Sequence, residues 1–227
     1  MHLLDSTRNR PLLKVDLPSV DRFRQEFVET RTPAILSGLA TQLPFVEKWN
    51  REFFGQKLKT IRVHRPDDVG VYHFLSYDRV PYSELMQNLL AEKDMYSLEP
   101  LLGKGAPQGD RAHRAEDVDE DDVPGFIPRN ALRSSNLYVG PGGNKTLLHY
   151  DEVHSFLIMV EGTKRCAVFP PDQTRYLYPY HALDFQSIRE GRVLDSKINP
   201  LDIDLDRFPR IPLANGQCGF EFFWCAE

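Results

Sequence analysis

Long apolar runs are missing from this chain of 227 residues, and no stretch reaches the roughly 18 apolar residues that a membrane-spanning helix needs. Met1-His2-Leu3-Leu4-Asp5 lacks the basic, then apolar, then small order of a secretory signal. Cysteine is scarce: Cys166, Cys218 and Cys225 are an odd, sparse set. Such a set excludes a disulfide framework and fits a reducing compartment, so an intracellular location, cytoplasmic or nuclear, is expected. Asn144-Lys145-Thr146 spells a glycosylation acceptor, but with no signal ahead of it the match reads as chance. There is no concentrated basic face, so charge gives no indication of nucleic-acid binding, and there are no internal repeats.

What is present is ordinary for a soluble globular protein, with 41% hydrophobic and 27% charged residues. The length suits one jelly-roll-sized domain with helical additions, or two small domains. Charge is informative by position. Between Asp110 and Asp122 seven acids stand against Arg111 and Arg114, and that net of −5 equals the formal charge of the whole chain. The run reads as a solvated, mobile loop inside a Gly-, Pro- and acid-rich insertion or linker over 103–128.

Ser19 is placed to cap a helix with Val20, Phe23 and Phe27 on one face, stopped by Thr32-Pro33. Ala34-Ile35-Leu36 reads as a short buried strand ending at Ser37-Gly38. A brief helix is expected from Phe45 to Phe54 with Gly55 as its stop. Lys59 to His64 alternates as a strand. Pro81 opens a second helix, with Leu85 and Leu89 four apart and Met86 and Leu90 beside them. Met95 to Leu102 is a further strand. After the insertion the pattern changes to short strands at Leu137 to Val139, Leu147 to Asp151, Ser155 to Glu161 and Lys164 to Phe169. Gly162-Thr163 suits a type II′ hairpin between the last two. Closely spaced strands of this kind predict a sandwich or jelly roll.

The chemistry concentrates in Thr146-Leu147-Leu148-His149-Tyr150-Asp151. In a strand, residues i and i+2 share a face, so His149 and Asp151 would point the same way. An imidazole beside a carboxylate supplies two of the three ligands of a 2-His-1-carboxylate iron site, which leaves positions open for a co-substrate and oxygen. Taken alone, His-x-Asp is a weak signal, more often surface or core than metal. Lys164 starts the expected partner strand, on the face of Cys166 and Val168. Either it meets an anion there, such as a bound dicarboxylate, or it snorkels at the strand end.

Leu148-His149-Tyr150-Asp151-Glu152, Gly162-Thr163-Lys164-Arg165, Phe169-Pro170-Pro171-Asp172-Gln173 and Leu177-Tyr178-Pro179-Tyr180 resemble the JmjC (cupin-8) family of iron(II)/2-oxoglutarate dioxygenases. So do Thr32-Pro33-Ala34-Ile35-Leu36-Ser37-Gly38 with Lys48-Trp49, and Asp204-Leu205-Asp206-Arg207-Phe208-Pro209. Within the family the likeness runs toward the asparaginyl hydroxylases that act on hypoxia-inducible factor. It spans roughly residues 20 to 213. The resemblance implies a mainly β protein with N-terminal helices, an α+β chain built on a double-stranded β-helix. It implies iron(II) on His149 and Asp151, 2-oxoglutarate as co-substrate and a protein as substrate. Thr146 and Lys164 would bind the distal carboxylate of 2-oxoglutarate. Tyr96 lines up with a further co-substrate contact, or is a core tyrosine. Ser155 stands where close relatives carry asparagine, and it can still donate a hydrogen bond.

The family's second histidine lies on an apolar-Pro-x-x-Trp-x-His strand beyond Arg207-Phe208-Pro209, whereas no histidine follows His181 in this sequence. The expected layout is therefore an N-terminal helical and strand part at 1–102, the insertion at 103–128, a jelly-roll core at 129–213 and a tail unrelated to the family at 214–227. The β-helix is then incomplete at its C-terminal strands and cut off before its third iron ligand. His154, at an odd offset, would face away from the pair, and His181 sits in a loop. His64, His73 and His113 are placed still less well. Three readings follow: an oxygenase that hydroxylates a protein side chain or demethylates it through hydroxylation; a non-catalytic form that binds co-substrate or a protein partner; and another cupin, a sugar-binding or isomerase barrel, which would need more histidines near the motif.

Overall fold

The computed structural model describes residues 10–66, 72, 76–91, 95–103, 125–146, 148–150, 153–180, 196–197, 203–210 and 217–219. The acidic run from Asp110 to Asp122, Asp151 and His181 lie outside them. Two compact units divide the chain. One comprises Met1–Gly38 with Leu147–Glu227, the other Leu39–Thr146.

In the first unit, strands β1 (Arg10–Pro11) and β2 (Leu13–Asp16) lead to helix α1 (Val20–Phe23). Ser19 caps α1 as its sequence predicts, its hydroxyl accepting from Arg22 N at 3.3 Å. The chain then widens into a π-helical turn over Arg24–Val28 and closes ahead of Pro33 through Thr32 N donating to Phe27 O at 2.9 Å. The apolar face is narrower than expected: Phe27 is buried, Phe23 is half-buried and Val20 is 52% exposed. Changing from α to π winding alters the angular step between side chains, so Val20 no longer falls in line with Phe27. Strand β3 (Ala34–Ser37) pairs in parallel with β2, and its four residues are all half-buried rather than buried.

Beyond the motif, strand β8 (Cys166–Val168) lies antiparallel to β9 (Gln217–Gly219), and β9 also pairs in parallel with β1. The sheet order is β1-β9-β8. Gln217–Gly219, assigned from sequence to the tail, is thus the middle strand of the three. A packing nucleus in this unit holds Ile203 and Phe208, with Leu148, Phe169 and Tyr178 packed against them.

In the second unit, the expected single helix from Phe45 to Phe54 is two: α2 (Pro44–Lys48) and α3 (Arg51–Lys57). Asn50 makes the break, because its side-chain oxygen accepts from Phe53 N at 2.9 Å and starts a new helix. Gly55 therefore lies inside α3 rather than stopping it. Strands β4 (Thr60–Val63) and β5 (Asp78–Pro81) form an antiparallel pair that runs into α4 (Tyr82–Leu90). Leu85 is fully buried in α4 while Leu90 is 76% exposed, so Leu90 is not part of the apolar face read from sequence. Strand β6 (Ser97–Gly103) pairs antiparallel with β7 (Ser134–Val139), with a bulge between Pro100 and Leu102. Proline cannot donate to the ladder, which accounts for the slip.

Among the described residues the strands are short, and the α-helices all precede residue 91. Residues 153–165 carry no strand ladder, against the strand expected at Ser155 to Glu161, while of the strand expected at Leu147 to Asp151 the described part holds a single β-bridge, at His149. Gly162 does adopt the left-handed φ of 83° foreseen for a turn, but no hairpin flanks it.

The contrast along α4 is testable. Leu85→Ala should cost about 2–5 kcal/mol in chemical denaturation, whereas Leu90→Ala should stay within about 0.5 kcal/mol of the parent. Equal losses at the two positions would contradict the packing described.

Candidate functional site

His149 takes part in an isolated β-bridge, and the residue before it is fixed as well. The carbonyl of Leu148 accepts from Ser196 N at 2.7 Å, and the Leu148 side chain packs against the Ile203 and Phe208 nucleus. With position 148 fixed from both sides, His149 and Tyr150 emerge exposed. Asp151, the partner carboxylate read from sequence, lies outside the described residues, so the shared face of the pair rests on its spacing.

Tyr178 ties the supporting segments together. Its carbonyl accepts from Lys197 N at 2.9 Å and its hydroxyl from Arg210 N at 3.1 Å. Its ring stands edge-on to Phe208 at 5.0 Å. The residue has φ 49°, unusual for a side chain of this size and tolerated only where surroundings hold it. Asp204 shapes the other side: its carboxylate accepts from Asp206 N and Arg207 N at 3.1 and 3.0 Å, and its carbonyl from Phe208 N. Two segments quoted from the sequence as separate motifs, Leu177 to Tyr180 and Asp204 to Pro209, therefore converge behind Leu148. Ser196 and Ile203 complete this support and were not singled out from sequence. An isolated serine and an isolated isoleucine carry no local signal for it.

Lys164 lies two residues ahead of β8 rather than at the start of a strand, and it is half-buried. Pleat alternation therefore does not set its direction. Ser155 is exposed, next to Phe156, whose ring lies 5.5 Å from that of Phe23. Phe23 in turn stacks on Phe27 at 5.7 Å, which anchors this segment to the N-terminal helix of its unit.

Thr146 and Tyr96 belong to the other unit, and the structure brings both to one residue, Tyr72. Tyr72 N donates to Lys145 O at 3.1 Å in a parallel bridge that pairs Tyr72 with Thr146. The Tyr72 ring lies 5.4 Å from that of Tyr96. Tyr96 is 7% exposed and is pinned by two backbone hydrogen bonds to His64, at 2.7 and 3.1 Å. Gly140 makes room for it, since a Cβ there would fall 2.5 Å from Tyr96 Cδ2 and would also strike Asn144 Oδ1. Tyr96 is thus a buried aromatic packed on the residue that bridges Thr146, the placement of a core tyrosine and equally of a residue walling a site.

A buried polar group backs this unit. Glu99, 2% exposed, accepts from Arg62 N at 2.8 Å and lies 3.9 Å from Arg79 Nη2. Arg62 and Arg79 are direct cross-strand partners in the β4–β5 pair, and the one carboxylate meets the Arg62 backbone and the Arg79 guanidinium. The Arg62 guanidinium covers the Tyr77 ring at 4.6 Å. His64, 3% exposed, donates from Nδ1 to Ser76 O at 2.6 Å. Burial pushes its pKa below the ordinary imidazole value of 6.5, and the Arg62 charge adds to that, while the bond to Ser76 opposes it.

An iron(II) centre of the implied kind needs an imidazole beside a carboxylate with open positions. His149, exposed on a fixed backbone, fits the imidazole role, and Asp151 is of the right type and spacing for the other; these two would hold the ion. Among the described residues no cluster of three or more His, Cys, Asp or Glu is gathered for a metal. Among them, too, no helix is long and apolar enough to cross a membrane.

The profile of the cupin-like domain matches residues 20–218 of this sequence. The chain belongs to the cupin-like domain family. Lysine-specific demethylase 8 of Danio rerio is 26% identical over 227 residues, covering 94% of this chain and 51% of that protein. Jumonji C domain-containing protein 5 of Drosophila melanogaster is 25% identical, covering 93% and 55%. tRNA wybutosine-synthesizing protein 5 of Gallus gallus is 25% identical, covering 91% and 66%. The chain spans about half the length of the first of these curated relatives. The cupin-like match takes in every site residue read from the motif, from Tyr96 to Lys164.

His64 generates a pH prediction. The folded chain keeps it neutral, whereas the unfolded chain takes up a proton near its ordinary pKa of about 6.5. The unfolded state therefore binds more protons below that pH. Stability is complete above about pH 6.5 and declines as the pH falls below it. Melting temperatures measured from neutral to mildly acid pH should drop less for His64→Gln than for the parent. Identical slopes would remove His64 as a source of acid sensitivity.

Proposed function

We propose that this cupin-like chain is an iron(II)/2-oxoglutarate-dependent oxygenase of the JmjC type, acting on a protein side chain by hydroxylation or by demethylation through hydroxylation. The observation that carries the reading is the anchoring of His149. The segments that resemble the JmjC family converge behind Leu148 and present the imidazole outward from a fixed backbone. The names of the relatives, among them a lysine-specific demethylase, support a protein substrate. Another relative is named for tRNA wybutosine synthesis, but a formal charge of −5 favours a protein over a polyanion here. The likeness to asparaginyl hydroxylases rests on the motif residues alone and favours hydroxylation as the outcome. An intracellular location accords with the three sparse cysteines.

In this reading the jelly roll is the scaffold, and each residue has a separate task. His149 and Asp151 hold the ion. Bound iron(II) supplies the oxidising chemistry at a C–H bond, with 2-oxoglutarate and dioxygen as co-substrates that end as succinate, carbon dioxide and the inserted oxygen. Lys164 offers an ammonium and Thr146 a hydroxyl to the distal carboxylate, a charge-assisted pairing that fixes the diacid by its far end. Tyr96 walls the diacid with an aromatic face. Ser155 donates one hydrogen bond where an amide would offer two, so it orients the co-substrate less tightly.

The test is release of carbon dioxide from 2-oxoglutarate by the purified chain with iron(II), alongside calorimetric binding of the diacid. His149→Ala should abolish release. Lys164→Ala should weaken diacid binding by about 2 kcal/mol, roughly thirtyfold. Binding without release would favour the non-catalytic alternative, a chain that holds co-substrate or a protein partner without turnover. Failure to bind 2-oxoglutarate at all would remove the oxygenase reading.

A further inference from the structure

Thr146 and Tyr96 come from distant parts of the chain, and a diacid touching both needs them held in register. Among the described residues, Tyr72 contacts both. Tyr72 bridges the backbone at Thr146 and lays its ring against Tyr96 at 5.4 Å. It is itself 3% exposed, and a second bridge pairs it with Pro66. Gly140 also closes on Tyr96, since even a methyl group there would overlap the ring. The Tyr96 backbone is fixed to His64. The ring therefore has three constraints: a backbone pinned to β4's extension, a glycine floor and the Tyr72 ring. The Tyr138 ring, 6.0 Å away, adds a further neighbour.

We propose that Tyr72 is a positioning residue for the 2-oxoglutarate pocket, locking the Thr146 backbone and the Tyr96 ring into one wall. The inference rests on the oxygenase reading above and adds a residue to it. Without the Tyr72 ring, Tyr96 gains room to rotate into the vacated space. The chain at Thr146 keeps its backbone bridge but is no longer tied through a ring to Tyr96. The two contacts to the diacid then lose their fixed separation. Closely packed interiors transmit such shifts, because a vacated volume is refilled by neighbours rather than left empty. The part of Tyr72 that matters is its ring, since the ring makes the contact with Tyr96.

Calorimetric titration of 2-oxoglutarate into the full chain, with manganese(II) in place of iron so that no turnover occurs, tests this directly. Tyr72→Leu should weaken binding on the order of tenfold, and Tyr72→Phe, which keeps the ring, should restore it to near the parent value. A double-mutant cycle separates positioning from general damage. If Tyr72 acts through Tyr96, the loss in Tyr72→Leu with Tyr96→Leu should fall short of the product of the single losses by at least about threefold. If the losses simply multiply, the inference is overturned. Should Tyr72→Leu fail to fold by circular dichroism, Gly140→Ala carries the test, because its added methyl group displaces the same ring. Weakened diacid binding in a folded Gly140→Ala chain supports the proposal, and unchanged binding overturns it. The two levels of failure are distinct. A parent chain that binds no diacid overturns the oxygenase reading and this inference together. A parent that binds, with Thr146→Ala weakened but the Tyr72 and Gly140 variants unaffected, overturns this inference alone.

Discussion

Leu148 is the fixed point on which the metal motif depends, because its carbonyl is tied to Ser196 and its side chain is packed on Ile203 and Phe208. A histidine held by one isolated bridge rather than by a full ladder has freedom left to lose, and each freed residue retains on the order of 1–2 kcal/mol of conformational entropy. Fixing the preceding residue from both its polar and its apolar side removes most of that freedom while leaving the imidazole exposed. The two anchors differ in kind. The hydrogen bond sets the direction of the chain, and the apolar contact sets its depth.

That arrangement also gives Tyr178 a reason for its left-handed φ. A tyrosine at φ 49° carries strain of order 1–3 kcal/mol, which its surroundings offset by using the residue three ways. Its carbonyl meets Lys197, while its hydroxyl and ring meet Arg210 and Phe208. A glycine would adopt the angle without strain but would supply neither the ring on Phe208 nor the acceptor for Arg210. The strain is the consequence of asking one residue to join 196–197 and 203–210 behind the motif.

The second unit solves a different problem, the burial of charge. Arg62 and Arg79 are partners across β4 and β5, and the two charges are met separately, Arg62 by the Tyr77 ring and Arg79 by a carboxylate. Glu99 supplies it from β6 with almost no exposure. The neighbouring His64 stays neutral in this positive surrounding, donating to Ser76 rather than competing for the carboxylate. Because His64 also holds the Tyr96 backbone, the charge balance of the pair reaches the aromatic wall beside Thr146 through a single residue.

Local signals in the sequence identified what local physics decides. The Ser19 cap, the strands at Ala34–Ser37 and Thr60–Val63, and the helix after Pro81 all depend on residues within one or two turns, and each was legible. Asn50 shows how a single capping side chain was overlooked when the apolar run around it read as one helix. The candidate site was legible as a list of residue types, since imidazole, carboxylate, ammonium and hydroxyl stand at telling intervals. What holds those residues was not. Gln217–Gly219 becomes a central strand because β1 and β8 present unpaired edges on either side, and three residues of Gln-Cys-Gly have no propensity that announces it. Gly140 reads as one more loop glycine until the ring of a residue 44 positions earlier is found where its Cβ would be. Contacts of that range are set by the packing of the whole unit, and a sequence records them only as the absence of a side chain.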